Sequence, residues 1–258
     1  MAIVVLTSAG HSPGVTSTAL GLALTWPRPV LLVDADRNPT QSILAGYLRG
    51  EQSGQHGLAG LLQAVRERRA LEDVLEAQTI ELPALAPTTE RAARLLPGFP
   101  HPGVVGLFNA AWADLMAALS THGSDVLIDA GRIGPEGLPL PLAQAADLVL
   151  MVTRTSLVSL AGVRLYLPGL VEAAGSDRTA MALVGAAMPY GRSEIQDQFG
   201  TTIAAEIEYA PTAAAVLSDG APQPRRFATS GYFRSLSTAA SSISGRLQAV
   251  RELIGVRR

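Results

Sequence analysis

The sequence predicts an α/β fold of three layers, in which a mostly parallel sheet carries helices on both faces. Three observations predict it: apolar runs of strand length recur along the chain, helix-length segments separate them, and a Gly- and Ser-rich turn joins the first run to the first helix. Near-continuous apolar strands that alternate with helices are typical of a parallel sheet buried on both faces. Hydrophobic residues make up 48% of the 258 residues, which is enough for the core that such a sheet needs.

Six runs have the length and composition of buried strands. They are IVVLTS (3–8), PVLLVDAD (29–36), DVLIDAG (125–131), DLVLMVT (147–153), AMALVG (180–185) and IAAEIEY (203–209). Eight segments are predicted as helices. They are 14–25, 39–48, 57–66, 106–120, 156–173, 192–199, 211–218 and 230–254. We expect a single domain over residues 1–258.

Two parts of this domain need separate treatment. Residues 50–105 contain Pro, Gly and the charged stretch RERRALEDVLE, and we interpret them as an irregular surface excursion.

The C-terminal helix, 230–254, has an apolar seam at spacings of three and four residues. Its members are Phe233, Leu236, Ala240, Ile243, Leu247, Val250 and Ile254. The seam indicates either packing on the domain's own sheet or contact with another chain.

Composition excludes several classes of function. The formal net charge is −2, so no global field attracts nucleic acid or anionic membranes. No cysteine is present, which excludes disulfides, thiol catalysis and Cys-based zinc sites. The four histidines lack metal-ligand spacing, and no G-x-S-x-G nucleophile elbow occurs. The first apolar run is too short to span a bilayer and has no basic region before it, so we expect a cytoplasmic protein with no membrane span.

The turn after the first strand, within TSAGHSPGVTSTALGLAL (7–24), has the composition of a phosphate-binding loop. Such loops work because consecutive backbone N–H groups and the positive end of the next helix face the anion. Gly10 and Gly14 supply the turn, Pro13 cannot donate, and Thr16 stands where a hydroxyl could ligate Mg²⁺. The predicted nucleotide-binding residues are Gly10, His11, Ser12, Pro13, Gly14, Val15, Thr16 and Ser17.

Carboxylates follow two of the predicted strands. Asp34 and Asp36 end LLVDAD, and Asp129 ends VLID. The carboxyl ends of parallel strands meet at the crevice where α/β sheets bind ligands, so one carboxylate can hold Mg²⁺ while another orients water. We therefore expect Thr16, Asp36 and Asp129 at the metal, with Asp34 and Asp129 in catalytic positions. The alternatives are that Asp36 caps the following helix and that Asp129 accepts bonds from loop amides.

The order and spacing of these motifs resemble the ParA/MinD group of deviant P-loop ATPases, whose loop reads K-G-G-V-G-K-T-T. GHSPGVTS (10–17) matches that loop, VLLVDAD the second strand, and DVLIDAG the Walker B strand. VGAAMPYGRSEIQDQFG and EIEYAPTAAAVLSDG resemble the TadZ/CpaE-like branch, which acts in pilus assembly and septum positioning. The resemblance runs from residue 1 to about 250, and it implies a P-loop NTPase fold with ATP and Mg²⁺ as cofactors.

The departures from the family pattern lie in the same site. Gly10 and Val15 replace the two family lysines, and all 20 basic residues of the chain are arginines, so no lysine can substitute. Gly185 and Ala210 stand where the family has an Asn and an Asp near the adenine. Losing one preorganised electrostatic contact typically costs about 10²–10³ in rate. ATP binding is therefore expected to be weak or lost, and hydrolysis very slow or absent.

An arginine could compensate for the missing lysine. Arg37, Arg132 and Arg154 all follow strand ends on the ligand side, and Arg132, directly after DAG, is the preferred candidate and is included among the catalytic residues.

The resemblance implies a nucleotide switch or pseudo-ATPase that dimerises, binds a protein partner and positions a pilus, secretion or partition machine. The alternative is an active Mg²⁺-dependent partition ATPase that uses an arginine in place of the lysine and binds DNA non-specifically. Its basic surface could only come from the C-terminal arginines and the pair Arg225 and Arg226.

Overall fold

The computed structural model describes residues 1–51, 56–85 and 93–256. Its strands are β1 (Ile3–Ser8), β2 (Val30–Asp34), β3 (Ile80–Glu81), β4 (Ala93–Leu96), β5 (Asp125–Arg132), β6 (Leu148–Arg154), β7 (Thr179–Val184) and β8 (Ile203–Ile207). Its α-helices are α1 (Val15–Thr25), α2 (Leu58–Arg66), α3 (Pro102–Val105), α4 (Trp112–Thr121), α5 (Leu140–Ala145), α6 (Leu157–Ala174), α7 (Arg192–Phe199), α8 (Pro211–Ser218) and α9 (Gly231–Val256). A π-helical turn covers Ile43–Tyr47, and 3₁₀ turns cover Glu76–Gln78, Gly106–Ala111 and Phe227–Thr229.

The strands form one sheet in the order β3-β4-β2-β5-β1-β6-β7-β8. All neighbouring pairs are parallel except β3 with β4. The chain leaves β1 toward β2 on one side, whereas it leaves β5 toward β6 on the other. A reversal of this kind opens a crevice outside the carboxyl ends of the strands, and the loop after β1 lies at that position. The α/β prediction is confirmed.

Helices cover both faces of the sheet, as the three-layer prediction requires. One core lies under α1, α8 and α9 and contains Leu20, Leu22 and Ile243. The other lies under α2, α4, α5 and α6 and contains Trp112 and Val163. The even burial of both faces explains why the central strands have almost no polar residues.

Residues 50–105 contain more regular structure than the expected surface excursion. Besides α2, which matches the predicted helix 57–66, they supply the strands β3 and β4, which extend the sheet beyond β2. β4 escaped prediction because ARLL is short and follows a stretch that contains two prolines, Pro83 and Pro87. The predicted helix 106–120 begins with the 3₁₀ turn and becomes α4, and α5 was missed because Pro139 and Pro141 flank its start.

The apolar seam of α9 packs inside this chain. Leu236, Ala240, Ile243 and Leu247 are buried in the core that α9 shares with α1. A Cβ at Gly21 of α1 would lie 2.6 Å from Leu236 Cδ1, so the absence of a side chain there lets the two helices approach closely. Over these residues the seam therefore serves the domain's own core. The side chains of Val250 and Ile254, and residues 257–258, lie outside the described part.

Two stretches, Pro102–Thr121 and Leu157–Ala174, are long and apolar enough to cross a bilayer by length and composition alone. Both contribute buried residues to the core against the sheet, as core helices of globular proteins do. They are therefore only weak grounds for a membrane span.

Candidate phosphate-binding site

The loop between β1 and α1 has the backbone of an anion nest. Gly10, His11, Ser12 and Gly14 all have positive φ, at 128°, 61°, 45° and 86°. Gly14 is the N-cap of α1, and no side chain caps the helix. Within the described residues, no acceptor is bonded to the amides of the first turn, 15–17. These amides and the positive end of α1 remain available to an anion.

The side chains of the loop differ in exposure. His11 and Ser12 are exposed, whereas Pro13 and Val15 are buried. The His11 ring lies beside α6, because a Cβ at Gly162 would be 3.9 Å from His11 Cδ2. His11 is therefore exposed to solvent and lies next to α6.

The three aspartates predicted from strand ends lie together. Asp34 and Asp129 are direct neighbours in the β2–β5 register, and the Ala35 amide donates to the Asp129 carbonyl at 2.8 Å. Asp36 packs against Gly131, where a Cβ would lie 2.1 Å from the Asp36 Cγ. Gly131 also has a φ of 61°, so both conformation and space require glycine there.

Asp129 has one satisfied and one unsatisfied oxygen. It is fully buried, and its Oδ1 accepts a hydrogen bond from the Gly131 amide at 3.0 Å. Its Oδ2 has no hydrogen-bond partner among the described residues. The Thr16 hydroxyl lies close enough to lower the pKa of this carboxyl, but no hydrogen bond of ordinary geometry joins the two side chains. A buried oxygen without a partner costs about 1–3 kcal/mol, so it calls for a ligand or a role.

The carboxylates carry raised pKa values. Burial raises the pKa of Asp34 to about 8, and the negative charge of Asp129 adds to the effect. Burial also raises the pKa of Asp129, although the nearby Thr16 hydroxyl and the hydrogen bond from the Gly131 amide act to lower it. The pKa of Asp36 is raised by burial and partly restored by the Asn38 amide. The cluster is short of positive charge, which is the electrostatic condition that favours a cation.

The oxygen donors of this site fit Mg²⁺ if a bound phosphate and water supply the remaining ligands. The Thr16 hydroxyl and the carboxylates of Asp36 and Asp129 are hard oxygen donors. Among the described residues, however, no group of three or more His, Asp or Glu side chains could hold a metal alone. Mg²⁺ in nucleotide sites commonly takes one or two carboxylates, water and phosphate oxygens. The unpartnered Asp129 Oδ2 suits that partial coordination.

The three arginines that could replace the missing lysine contact different parts of the structure. Arg37 donates to the Gly137 carbonyl and lies beside Gly134. Arg154 has its Cζ 4.8 Å from the centre of the Tyr209 ring. Arg132 alone of the three lies on the loop, because a Cβ at Gly10 would be 3.2 Å from its Nε.

The backbone fixes Arg132 beside the start of the loop. Arg132 is the register partner of Ser8, the last residue of β1. The Ile133 amide donates to the Ser8 carbonyl at 2.8 Å, and Thr7 Oγ1 donates to the Gly131 carbonyl at 3.0 Å. These bonds on either side of Arg132 place its guanidinium against Gly10, the position of the first family lysine.

The region where the family binds adenine has a different composition here. Gly185 has a φ of 76°, and Tyr209 packs on it, with 2.9 Å between a Cβ at Gly185 and the Tyr209 Cβ. Arg154 covers the Tyr209 ring. Sequence reasoning did not single out Tyr209; its signal is an aromatic residue just past the end of β8.

Fold and loop together define an α/β protein whose first helix begins at an anion nest. No family model and no curated protein matches the sequence. Among solved structures it is similar to a ParA family ATPase from Chlorobium tepidum, with a TM-score of 0.70 and 17% identity over 93% of this chain and 98% of that chain. It is also similar to the MinC:MinD cell division protein complex of Aquifex aeolicus, with a TM-score of 0.67 and 17% identity over 95% of this chain and 96% of that chain.

A third similar structure is the septum site-determining protein MinD of Pyrococcus horikoshii, complexed with Mg-ADP. It gives a TM-score of 0.67 and 17% identity, over 94% of this chain and 95% of that one. At such identities the likeness shows the fold. The chain has the ParA/MinD fold.

Proposed function

We propose that this chain is a ParA/MinD-like nucleotide switch or pseudo-ATPase. It acts in the cytoplasm, where it positions or partitions a cellular machine by dimerising and binding a protein partner. One observation carries the proposal: within the described residues, the first-turn amides of α1 and the Asp129 Oδ2 have no hydrogen-bond partner, although the chain has no lysine. Similar structures described as a Mg-ADP complex of MinD and as a MinC:MinD complex support a nucleotide and a protein partner.

The loop residues account for binding. Amides of Val15, Thr16 and Ser17 would donate to phosphate oxygens, and Thr16 and Asp129 would hold Mg²⁺. When bound, Mg²⁺ would neutralise phosphate charge. Asp34, whose pKa burial raises to about 8, would orient a water molecule at this site.

The same residues account for slow turnover. Val15, at the position of the second family lysine, is buried and apolar, so no cation approaches the phosphates from that side. Without that cation the rate falls by about 10²–10³. Binding can persist when turnover does not, because amides and Mg²⁺ provide most of the contacts to the ground state. This favours a switch or scaffold over a working enzyme.

Phosphate release under multiple turnover tests this conclusion. We expect the wild-type chain to gain thermal stability with millimolar ATP and Mg²⁺ and to release no phosphate above background. Thr16→Ala should lose that gain in thermal stability while keeping its circular dichroism spectrum. Release of phosphate by the wild type that Thr16→Ala abolishes would contradict the proposal and establish an ATPase.

The cellular role has its own test. A fluorescent fusion expressed in the native cell should concentrate at one site or track one structure. If the protein is a switch, Thr16→Ala and Asp129→Ala should become diffuse; if it is a scaffold, both should stay localised. A wild-type fusion that is diffuse throughout growth would contradict a positioning role.

One observation favours the alternative of an active ATPase of the partition type: Arg132 lies against Gly10, where the family has a lysine. In that case Arg132→Ala should abolish phosphate release, and Arg132→Lys should restore part of it. Non-specific DNA binding would accompany it, through a surface that includes the exposed Arg225 and Arg226. A mobility shift on duplex DNA that weakens steeply with salt would demonstrate this.

A further inference from the structure

Helix α6 has two apolar faces. The inner face packs in the core, through Ser159, Leu160, Val163, Leu167, Leu170 and Ala174. The outer face is exposed and consists of Leu157, Val158, Ala161, Arg164, Leu165, Pro168, Gly169 and Glu172. Surface helices normally carry polar residues on the outer face, yet here only two of the eight are charged. Exposed apolar stripes of this kind indicate a contact with another molecule.

Leu165 is the most prominent residue of this outer face. Its side chain is 77% exposed and stands between two grooves. One groove, of about 610 Å³, lies between α6 and α7 and includes Leu157 and Phe199. The other, of about 670 Å³, lies between α5 and α6. Its lining includes Leu140, Gly169, Glu172 and Ala173. The surface therefore presents both a projecting side chain and a cavity able to receive one.

The two charges of the outer face complement each other. Arg164 and Glu172 are eight residues apart on one stripe, about 12 Å along the axis. Within the part of the chain that the structure describes, neither forms an ion pair. In an antiparallel pair of identical helices centred on the midpoint, residue 168, each arginine meets the other helix's glutamate. Residues at the centre are Pro168 and Gly169, which permit close approach of the backbones.

We propose that α6 docks on α6 of a second copy of this chain, antiparallel, about a two-fold axis at Pro168. In this register Arg164 faces Glu172 of the partner subunit. The same register places Leu165 opposite residue 171 of the other helix, beside Gly169 and Glu172, which line the α5–α6 groove. One register thus satisfies both the charges and the shape, and a single patch pairs with itself, as a two-fold interface requires.

This contact needs no nucleotide and goes beyond the proposed function. It uses the side of the α4–α6 layer, whereas the phosphate loop lies at the carboxyl edge of the sheet. If the α6–α6 contact does not form, the nucleotide site is unaffected. If no nucleotide binds, the α6–α6 contact still forms.

Sedimentation of the full chain without nucleotide tests the proposal. We expect a dimer of the 26.8 kDa chain with a dissociation constant on the order of micromolar. Leu165→Arg should produce a monomer, since it places a charge in the groove. Arg164→Glu and Glu172→Arg should each weaken the dimer by about tenfold through like-charge contacts. The double variant should return to within about threefold of the wild type.

Arg234→Glu is the matched control, because Arg234 is exposed on α9, on the opposite face of the sheet. It should leave the dimer intact. A monomer at about 200 µM would overturn the proposal, as would a dimer that Leu165→Arg leaves unchanged. A monomer that floats with lipid vesicles until Leu165→Arg is introduced would overturn it in favour of a membrane surface.

Discussion

At the scale of single residues, the lack of a side chain at position 10 and the location of the Arg132 guanidinium are related. A side chain at position 10 would press on the Arg132 guanidinium, and the Gly10 φ of 128° is one that residues with a Cβ rarely adopt. A lysine at position 10 is therefore incompatible with Arg132 in its present place. The glycine at position 10 and the present position of the Arg132 side chain therefore depend on each other.

Gly10→Ala tests this contact. We expect a loss of about 1–3 kcal/mol in the free energy of unfolding, because the change imposes both backbone strain and a clash. Urea titration measures it. Gly106→Ala is the control, since Gly106 has a φ of −63° and open space around a Cβ. Equal stabilities for the two variants would show that position 10 tolerates a Cβ, which would contradict both constraints.

At the scale of elements, Asp125 ties three of them together at the start of β5. Its carboxylate accepts bonds from the Ala2 amide at 2.7 Å, the Trp26 Nε1 at 2.9 Å and the Arg28 Nε at 2.9 Å. These donors lie before β1, directly after α1, and just before β2. Burial alone would raise the pKa of Asp125, but the bonds from Trp26 and Arg28 outweigh it and hold the pKa below its ordinary value.

A pH-dependent stability follows from this lowered pKa. A carboxyl with a lower pKa in the folded state stabilises fully above its unfolded pKa, about 3.9, and loses that contribution as pH falls through the folded value. We expect Asp125→Asn to cost about 1–3 kcal/mol at pH 7, because buried donors lose a charged acceptor. The difference from wild type should shrink below about pH 4. A deficit that is constant from pH 7 to pH 3 would contradict this account.

At the scale of the whole molecule, apolar runs in the sequence predict the strands of the sheet that helices cover on both faces. The six predicted strands correspond to β1, β2, β5, β6, β7 and β8, because each is a near-continuous apolar run. β3, β4 and α5 could not be predicted, since they are short and their Pro-rich flanks resemble loops. Their formation depends on pairing with β2 and packing on the sheet, which are non-local contacts.

The candidate site also has some features that the sequence predicts and others that it does not. Strand ends predict that Asp34, Asp36 and Asp129 converge, because parallel strands bring their carboxyl ends to one edge. Sequence also favours Arg132 among three arginines, but only side-chain packing shows that it touches Gly10. The unpartnered Asp129 Oδ2 has no sequence signal, since it depends on what fails to reach it in three dimensions.

The central claim is that the first turn of α1 and Asp129 still bind a Mg²⁺-polyphosphate without any lysine. Calorimetric titration of ATP into the chain, with and without Mg²⁺, tests it most directly. We predict Mg²⁺-dependent heat with a dissociation constant on the order of 0.1–1 mM, a binding energy of about 4–5.5 kcal/mol. Absence of heat at millimolar ATP and Mg²⁺ would contradict the claim.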